Sequence, residues 1–467
     1  MILGNARLGD AVVDLRIEDG TVAEIGDIGS PDIDASGRWV IPGLWDEHVH
    51  YTQWALTSQR IDLGQAVSAQ HAADIVGTAV VEGADLLVGA NFRDALWPDA
   101  PTAALLDAVT GGIPTALVSA DLHAVWLNTA GLARFGHAGH PTGLLVEDDA
   151  FGVEQQLGTV PAETIDAWGR AAAAAAARRG VVGVADLEMA WNLGDWQRRV
   201  DAGHDALRVE FAIYTEHLDR AIGLGLRTGS AVGELLSVGR YKVLTDGSLN
   251  TRTAYLHDAY GDGTHGMLVV PFDTLVQNMR KATAAGIEPT VHAIGDHANT
   301  LAMDAFEAVG SGGRMEHAQL LTERDVPRFA ALGVEVSAQP QHLVDDRDVA
   351  DRHWAGRTDR AYPFRSLLDA GATLRFGSDA PVSPLDPWIG MAAAVDRTQD
   401  ERPAWHPEQR ITNAEALAAS TRTTVSVGQP ADLAVVEYDP YTASGDRLRT
   451  MPVALTLLGG RVTHSAV

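Results

Sequence analysis

The stretch Val40-Ile41-Pro42-Gly43-Leu44-Trp45-Asp46-Glu47-His48-Val49-His50 decides the fold of this chain. It opens with apolar residues and ends on two histidines separated by one residue, the pattern of a buried strand whose last inward side chains are imidazoles. Residues i and i+2 of a strand point to the same face, so His48 and His50 can reach one ion. On a helix the pair would lie about 200° apart. The spacing predicts a metal site at a strand end; taken alone, two locally bonded histidines are the alternative.

The composition narrows the class of protein. The 467 residues are 46% hydrophobic and 21% charged, and 62 acidic residues against 35 basic ones give a formal charge of -27. Such a surface repels phosphate backbones and anionic lipid. With no cysteine, a metal must be held by His, Asp, Glu or a modified Lys. We expect a cytoplasmic protein with a small-molecule substrate, no nucleic-acid or membrane partner and no signal peptide, and a homodimer as an open alternative.

Both ends of the chain are rich in strand patterns. Residues 11–26 alternate around the turn Asp19-Gly20, which is typical of a hairpin. Residues 432–437 and 453–458 are further short apolar segments. We therefore predict one small β-sandwich domain built from residues 1–39 and 430–467.

The middle of the chain repeats a short apolar strand followed by a helical stretch, which indicates parallel βα units. Eight such strands predict an α/β fold, a distorted (β/α)8 TIM barrel over residues 40–429, with its active site at the carboxyl ends of the strands. After the strand that ends at His50, the predicted strands are Val181–Leu187, Leu207–Tyr214, Tyr241–Thr245, Glu288–Ile294, Arg314–Gln319, Val334–Gln339 and Thr373–Ser378.

The gap after the first barrel strand is too long for a βα connection. Residues 51–180 contain strand patterns of their own at Leu86–Val88 and Thr115–Val118. We predict an inserted substrate lobe at about residues 75–160.

Further polar residues fall on the predicted barrel strands. Lys242 lies on the fourth strand, His292 on the fifth, His317 on the sixth and Asp379 at the end of the eighth. Because carboxyl ends of parallel strands share one face of a barrel, all of these side chains are expected to point toward the same mouth as His48 and His50.

With these residues in place, the sequence resembles the amidohydrolase superfamily, and more closely its YtcJ-like branch, amidohydrolase family 3. The segments Asp121–Asn128, Lys242–Leu249 and His292–His297 carry the closer likeness. The resemblance implies that His48, His50, Lys242, His292, His317 and Asp379 bind one or two metal ions.

The resemblance also implies a chemistry. Neutral imidazoles and a carboxylate suit Zn²⁺ or a similar ion. Asp379 would serve as ligand and as general acid/base. Lys242 has no lone pair to offer as an ammonium. If it is N-carboxylated, it bridges two ions; otherwise it is a barrel lysine, paired with an acid such as Asp246, beside a single ion.

Four residues are candidates for contacting substrate. His123 and Trp126 lie in the inserted lobe, Arg252 in the loop after the fourth strand, and His342 after the seventh strand. A structural role is the alternative for His123 and His342. His204 is expected on a loop or at the surface.

These observations predict a metal-dependent hydrolase that cleaves a C–N bond of an amide, N-substituted formamide or cyclic amide through metal-activated hydroxide. Two alternatives stay open: hydrolysis of an ester or phosphoester at the same site, and a non-catalytic binding or regulatory protein on this scaffold.

Overall fold

The structure is a computed structural model that describes residues 1–467 except 81–82, 95–96, 120–123, 147 and 158–159, and the side chain of Phe151. The chain forms two compact units. The first consists of Met1–Gln53 together with Arg170–Val467, and the second of Trp54–Gly169.

The strands, in chain order, are β1 (Ile2–Leu8), β2 (Ala11–Glu18), β3 (Thr21–Gly26), β4 (Ile33–Asp34), β5 (Trp39–Pro42), β6 (Leu44–Val49), β7 (Ile61–Asp62), β8 (Leu87–Phe92), β9 (Thr115–Ser119), β10 (Ala124–Leu127), β11 (Leu144–Val146), β12 (Val181–Asp186), β13 (Arg208–Tyr214), β14 (Leu236–Leu244), β15 (Pro289–Ala293), β16 (Gly313–His317), β17 (Val334–Ala338), β18 (Leu374–Phe376), β19 (Leu433–Val436), β20 (Val453–Leu458) and β21 (Arg461–Ser465).

The helices are α1 (Tyr51–Thr57), α2 (Ala69–Thr78), α3 (Ala103–Thr110), α4 (Thr129–Arg134), α5 (Asp148–Leu157), α6 (Ala162–Ala177), α7 (Asn192–Asp201), α8 (Leu218–Gly223), α9 (Phe272–Ala284), α10 (Asp296–Val309), α11 (Val326–Leu332), α12 (Pro340–Asp345), α13 (Arg347–His353), α14 (Phe364–Asp369), α15 (Pro387–Asp396), α16 (Asn413–Ala419) and α17 (Gly445–Arg449). Within the described parts of the chain, none of them combines the length and the apolar character needed to cross a membrane.

The first unit contains a nearly closed barrel of eight parallel strands. Their order is β6, β12, β13, β14, β15, β16, β17 and β18, which is also their order in the chain. The last strand returns to the first: the amide of Asp379 donates to the carbonyl of His48 at 2.7 Å, and the amide of His50 donates to the carbonyl of Ala380 at 2.8 Å. The predicted (β/α)8 fold is confirmed, and the largest difference in a strand start is at β14, which begins at Leu236 rather than Tyr241.

The stretch from Val40 to His50 is two strands rather than one, which corrects the prediction. Residues up to Pro42 belong to the sheet of the chain ends, and the barrel begins at Leu44. Gly43 lies between them, where an added Cβ would be 2.4 Å from a methyl carbon of Val182. Any larger side chain would clash with Val182, so glycine permits the backbone to pass this close to β12.

The two ends of the chain meet in one eight-stranded sheet. Its order is β21, β20, β19, β5, β1, β2 and β3, with β4 paired to β1. The predicted hairpin turn is present, with Asp19 at φ 48° and Gly20 at φ 75°, the left-handed conformations of a two-residue hairpin turn. One face buries an apolar cluster that includes Leu3, Leu15, Leu433, Leu455 and Leu457.

The second unit has its own sheet, in the order β11, β10, β9, β8 and β7. Apolar clusters pack on it, including Leu106, Leu117 and Trp126 in one and Val118, Val125 and Leu145 in another. The lobe predicted at residues 75–160 falls inside this unit, which begins earlier, at Trp54, and ends later, at Gly169. An insertion with its own core is a folded module rather than a long loop.

A buried charge network lies among the barrel strands. The carboxylate of Glu47, fully buried on β6, accepts hydrogen bonds from Arg314 at 2.9 Å and from Arg422 at 2.6 Å. Arg422 also lies over the ring of Trp45, 3.7 Å from its centroid. Because Arg422 follows the last helix of the barrel, this network ties that segment to the first barrel strand.

Candidate metal centre

Three predicted ligands meet in the first unit. One ligand atom each from His48, His317 and Asp379 lies within 4.8 Å of the others, and all three residues are buried. They come from β6, from the last residue of β16 and from the loop after β18. His317 and Asp379 have φ values of 71° and 59°. Such strained backbone conformations at non-glycine residues concentrate at functional sites.

The two histidines of the opening stretch converge on the same carboxylate oxygen. Oδ1 of Asp379 is 3.4 Å from Nε2 of His48 and 3.3 Å from Nε2 of His50. Both imidazoles therefore point to one place, as the i, i+2 spacing predicts for a strand.

Glu316 fixes the tautomer of His48. Its carboxylate lies 2.7 Å from Nδ1 of His48, and its other oxygen accepts a hydrogen bond from Oγ1 of Thr290 at 2.6 Å. Burial lowers the pKa of His48 to about 4, so the ring is neutral near pH 7. A neutral ring that donates from Nδ1 to a carboxylate leaves the lone pair of Nε2 free for a metal.

His292 adjoins the cluster. Its ring centroid is 4.4 Å from that of His317, and its Nε2 is 3.4 Å from Oδ1 of Asp246. Asp246 in turn accepts hydrogen bonds from the backbone amides of Ile294 and Gly295, at 3.0 and 2.8 Å. Asp246 thereby holds the end of the strand that carries His292.

Lys242 is buried without a hydrogen bond. The residue is 2% exposed, and its Nζ has no hydrogen-bond partner among the residues that the structure describes. Burial lowers the pKa of this amine. The predicted alternative, a pair with Asp246, is not the arrangement seen, because Asp246 accepts from backbone amides instead.

The pKa shifts of His317, Asp379 and His50 have different directions, and burial competes with the neighbouring groups at Asp379 and His50. Burial, followed by the neighbouring histidines, holds the pKa of His317 well below its usual range. Burial acts to raise the pKa of Asp379, but the nearby imidazoles of His48 and His50 outweigh it and hold that pKa well below its usual range. Burial acts to lower the pKa of His50. The hydrogen bond between His50 and Asp379 and the negative charge of Asp379 together outweigh burial, so the pKa of His50 is raised.

The predicted substrate-contacting residues lie in different environments. The ring of His342 is nearly parallel to that of His317, at 6.3 Å between centroids. Arg252 is half exposed and pairs with Asp262 at 3.4 Å. Trp126 is fully buried in the core of the second unit, where its indole N–H donates to the carbonyl of Thr102, so the structure gives it a packing role. His123 lies outside the described residues.

Sequence reasoning missed Glu316. It precedes His317, and alternation along a strand would place the two side chains on opposite faces. The left-handed backbone at His317 breaks that alternation at the strand end, so both residues contribute to the same centre. The consecutive pair Glu-His at the end of a predicted strand is the only signal that could have indicated it.

Two acidic residues at the end of β12 and just after it were also missed. Asp186 accepts a hydrogen bond from the amide of Tyr51 at 3.1 Å, and Glu188 accepts one from the amide of Gln53 at 3.0 Å. These amides belong to the first turn of α1, directly after His50, and have no partner within the helix. The two carboxylates therefore fix the turn that carries His50.

A comparison with known protein families identifies the family of this chain. The family model described as "Amidohydrolase family" matches residues 33–464 of the chain. The chain belongs to the amidohydrolase family. As an amidohydrolase, it is assigned to the hydrolases. The His/Asp cluster is its candidate metal site.

Several amidohydrolases and related proteins align along most of the chain. "Protein LONG AFTER FAR-RED 3" of Arabidopsis thaliana is 30% identical, over 85% of this chain and 75% of its own length. "Putative amidohydrolase YtcJ" of Bacillus subtilis (strain 168) is 26% identical, over 98% of this chain and 96% of its own length. "N-substituted formamide deformylase" of Arthrobacter pascens is 25% identical, over 94% of this chain and 92% of its own length.

A solved structure shows the same fold. The crystal structure of an uncharacterized metal-dependent hydrolase from Pyrococcus horikoshii OT3 superposes with a TM-score of 0.77 at 24% identity. The match covers 95% of this chain and 99% of that one. The terminal sheet and the barrel are thus shared with a metal-dependent hydrolase.

Proposed function

We propose that this amidohydrolase uses a bound divalent metal, Zn²⁺ being the ion its donors suit best, to cleave a C–N bond of an amide, N-substituted formamide or cyclic amide. The observation that carries the proposal is the convergence of His48, His317 and Asp379 within 4.8 Å, with the free nitrogen of His48 directed at Asp379. His50, His292 and Lys242 complete the proposed ligand set.

The donors fit a metal. Nδ1 of His50 and Nδ1 of His317 are buried and make no hydrogen bond with any described residue. Leaving buried polar atoms unpaired costs about 1–3 kcal/mol each. Nitrogen donors and one carboxylate, with no thiolate, are the ligands found in catalytic zinc sites. When bound, such an ion lowers the pKa of water and polarises a carbonyl group.

His48 and Asp379 have different roles in the proposed reaction. His48, kept neutral and oriented by Glu316, offers its Nε2 lone pair. Asp379 is ionised, because the surrounding imidazoles hold its pKa low. Its Oδ1 faces His48 and His50, so Oδ2 is the oxygen that takes a proton from water and passes it to the leaving nitrogen.

Lys242 sets the number of ions. A buried amine whose pKa is lowered by burial is held toward its neutral form, which is the form that reacts with carbon dioxide. Carboxylation would join the nitrogen to the carbon of CO₂ with loss of one proton and would convert an unpaired donor into a carboxylate. We propose that Lys242 is carboxylated and that the centre holds two ions.

The choice of a C–N bond draws support from a relative. The protein named "N-substituted formamide deformylase" is by that name a C–N hydrolase, and it aligns over 94% of this chain. The protonatable carboxylate of Asp379 also suits a nitrogen leaving group, which needs a proton to depart.

The test combines metal analysis with a substrate panel. We expect protein purified without chelator to contain one or two equivalents of metal and to hydrolyse at least one member of a panel of amides, formamides and cyclic amides. Asp379→Asn should lower kcat by about 10²-fold or more. The matched control is Asp219→Asn, at an aspartate whose side chain is 82% exposed.

Three outcomes would contradict the proposal. Hydrolysis of esters or phosphoesters but of no amide would favour the alternative bond class. A protein with neither metal nor hydrolysis would favour a binding or regulatory role. Metal binding with full activity in Asp379→Asn would remove the assigned acid/base.

A further inference from the structure

Gln319 and His342 form a buried polar pair beside the candidate metal centre. Gln319 follows His317 by two residues, and the ring of His342 lies 6.3 Å from that of His317 and within 14° of parallel to it. Nε2 of Gln319 is 3.4 Å from Nδ1 of His342. The two residues are 3% and 5% exposed, so the pair is almost withdrawn from bulk water.

Each member keeps one polar atom without a partner. Oε1 of Gln319 and Nε2 of His342 are buried, and neither makes a hydrogen bond to any part of the chain that the structure describes. Buried polar side-chain atoms in folded proteins are nearly always paired, and each exception needs an explanation. Two exceptions on adjoining side chains next to a catalytic cluster indicate a place where a ligand supplies the missing partners.

The hydrogen-bond inventory of the pair is independent of how its hydrogens are assigned. If the amide of Gln319 donates to Nδ1 of His342, then Nε2–H of His342 is a free donor and Oε1 of Gln319 a free acceptor. If the amide is turned over, Gln319 has a free N–H and His342 a free lone pair. In both arrangements, the pair offers at least one donor and at least one acceptor.

We infer that Gln319 and His342 bind an amide or ureido group of the substrate by pairing with its N–H and its C=O. This inference rests on the proposed function and deepens it, since it selects substrates that carry an N–H. An ester has acceptors only, whereas an amide or ureido group supplies a donor and an acceptor together. Sites built to hydrogen-bond an N–H strongly reject analogues without it, because their own polar groups are then left unpaired.

The first experiment measures binding and needs no turnover. The probes are 2-piperidone, a lactam with N–H and C=O, and N-methyl-2-piperidone, which lacks the N–H. By calorimetry, the purified wild-type protein should bind 2-piperidone at least about 10-fold more tightly than N-methyl-2-piperidone. Gln319→Met and His342→Phe should each remove that preference with metal content unchanged.

Gln409→Met is the matched control, because Gln409 is buried and both polar atoms of its amide are already paired with Ser366. It should keep the wild-type preference.

The second experiment uses whichever secondary amide the substrate panel identifies, together with its N-methyl derivative. The ratio of their kcat/KM values should fall by about 10-fold or more in Gln319→Met relative to wild type. Intrinsic reactivity cancels because the same two compounds are compared in both proteins.

The outcomes separate this inference from the proposed function. Equal binding of the two lactams by wild-type protein, or binding of neither, overturns the inference and means that water alone occupies the pair. If the protein in that case still binds metal and hydrolyses an amide, the proposed function stands and only the Gln319–His342 subsite is refuted. A lactam preference that depends on Gln319 in a protein without hydrolysis supports the subsite and overturns the proposed function.

Discussion

Oε2 of Glu316 lies 2.7 Å from Nδ1 of His48, and both side chains are 1% exposed. The residues are 268 positions apart in the sequence, yet they form a carboxylate–histidine pair on adjoining parts of the barrel interior. Such a pair fixes which imidazole nitrogen is free and makes that nitrogen a better metal ligand.

Removing the Glu316 carboxylate should weaken metal binding. Glu316→Ala is expected to lower the affinity for Zn²⁺ by about 10- to 100-fold, and Glu316→Gln by less, because an amide oxygen still accepts from Nδ1. Competition against a chromogenic chelator measures the Kd. The control is Glu288→Gln, at a glutamate whose side chain is 56% exposed. An unchanged Kd in Glu316→Ala would show that His48 needs no orienting partner.

Glu47 should contribute to stability rather than to chemistry. Glu47→Ala removes one of the two carboxylate partners of Arg314, which keeps Glu335, and one of the two of Arg422, which keeps Glu210. Breaking a buried ion pair from one side costs about 3–5 kcal/mol, so the free energy of unfolding should fall by that order. Urea denaturation measures it, with Glu18→Ala, at a side chain that is 62% exposed, as control. A loss similar to that of the control would contradict the assignment.

His204 should make the protein acid-sensitive. It lies in a loop, one of the two places predicted for it, but it is not at the surface: it is 3% exposed, and its Nε2 is 2.6 Å from the hydroxyl of Tyr51. Burial, followed by the charge of Arg199, lowers its pKa from 6.5 to about 4. Between these values the unfolded chain binds a proton that the folded chain does not, so stability falls as pH falls from about 6.5 to 4.

The measurement for His204 is the free energy of unfolding as a function of pH. The group contributes up to about 3 kcal/mol to that acid loss, at about 1.4 kcal/mol per pKa unit. His204→Gln should flatten the profile between pH 6.5 and 4, whereas His265→Gln, at an exposed loop histidine, should leave it unchanged. Parallel profiles for wild type and His204→Gln would refute the prediction.

Gly43 should tolerate no side chain while Val182 is present. In Gly43→Ala the new methyl would lie 2.4 Å from Val182, and overpacking of this kind costs about 1–3 kcal/mol. Val182→Ala removes the clashing methyls, so the double variant should lose less than the sum of the single ones. Thermal or urea unfolding of the four proteins measures the coupling. Strict additivity would mean that Gly43 is needed for its backbone and not for the close approach.

The barrel and its candidate metal ligands followed from patterns that are local along the chain. Apolar strands spaced by helical stretches define a parallel barrel, and the carboxyl ends of such strands share one face. That rule alone placed His48, His317 and Asp379 together, although 269 and 62 positions separate them in turn. The i, i+2 rule did the same for His48 and His50.

Only the tertiary structure decided the contacts that break those local rules. Where one sheet ends and the next begins, Gly43 has no room for a side chain because of Val182, a residue 139 positions away. Glu316 reaches His48 because the backbone at His317 leaves the extended conformation, and strand alternation cannot foresee that. Gln319 and His342 adjoin across two separate strand ends. Periodicity predicts the face of a strand or helix on which a side chain lies. The residue that this side chain contacts depends on how distant segments of the chain pack.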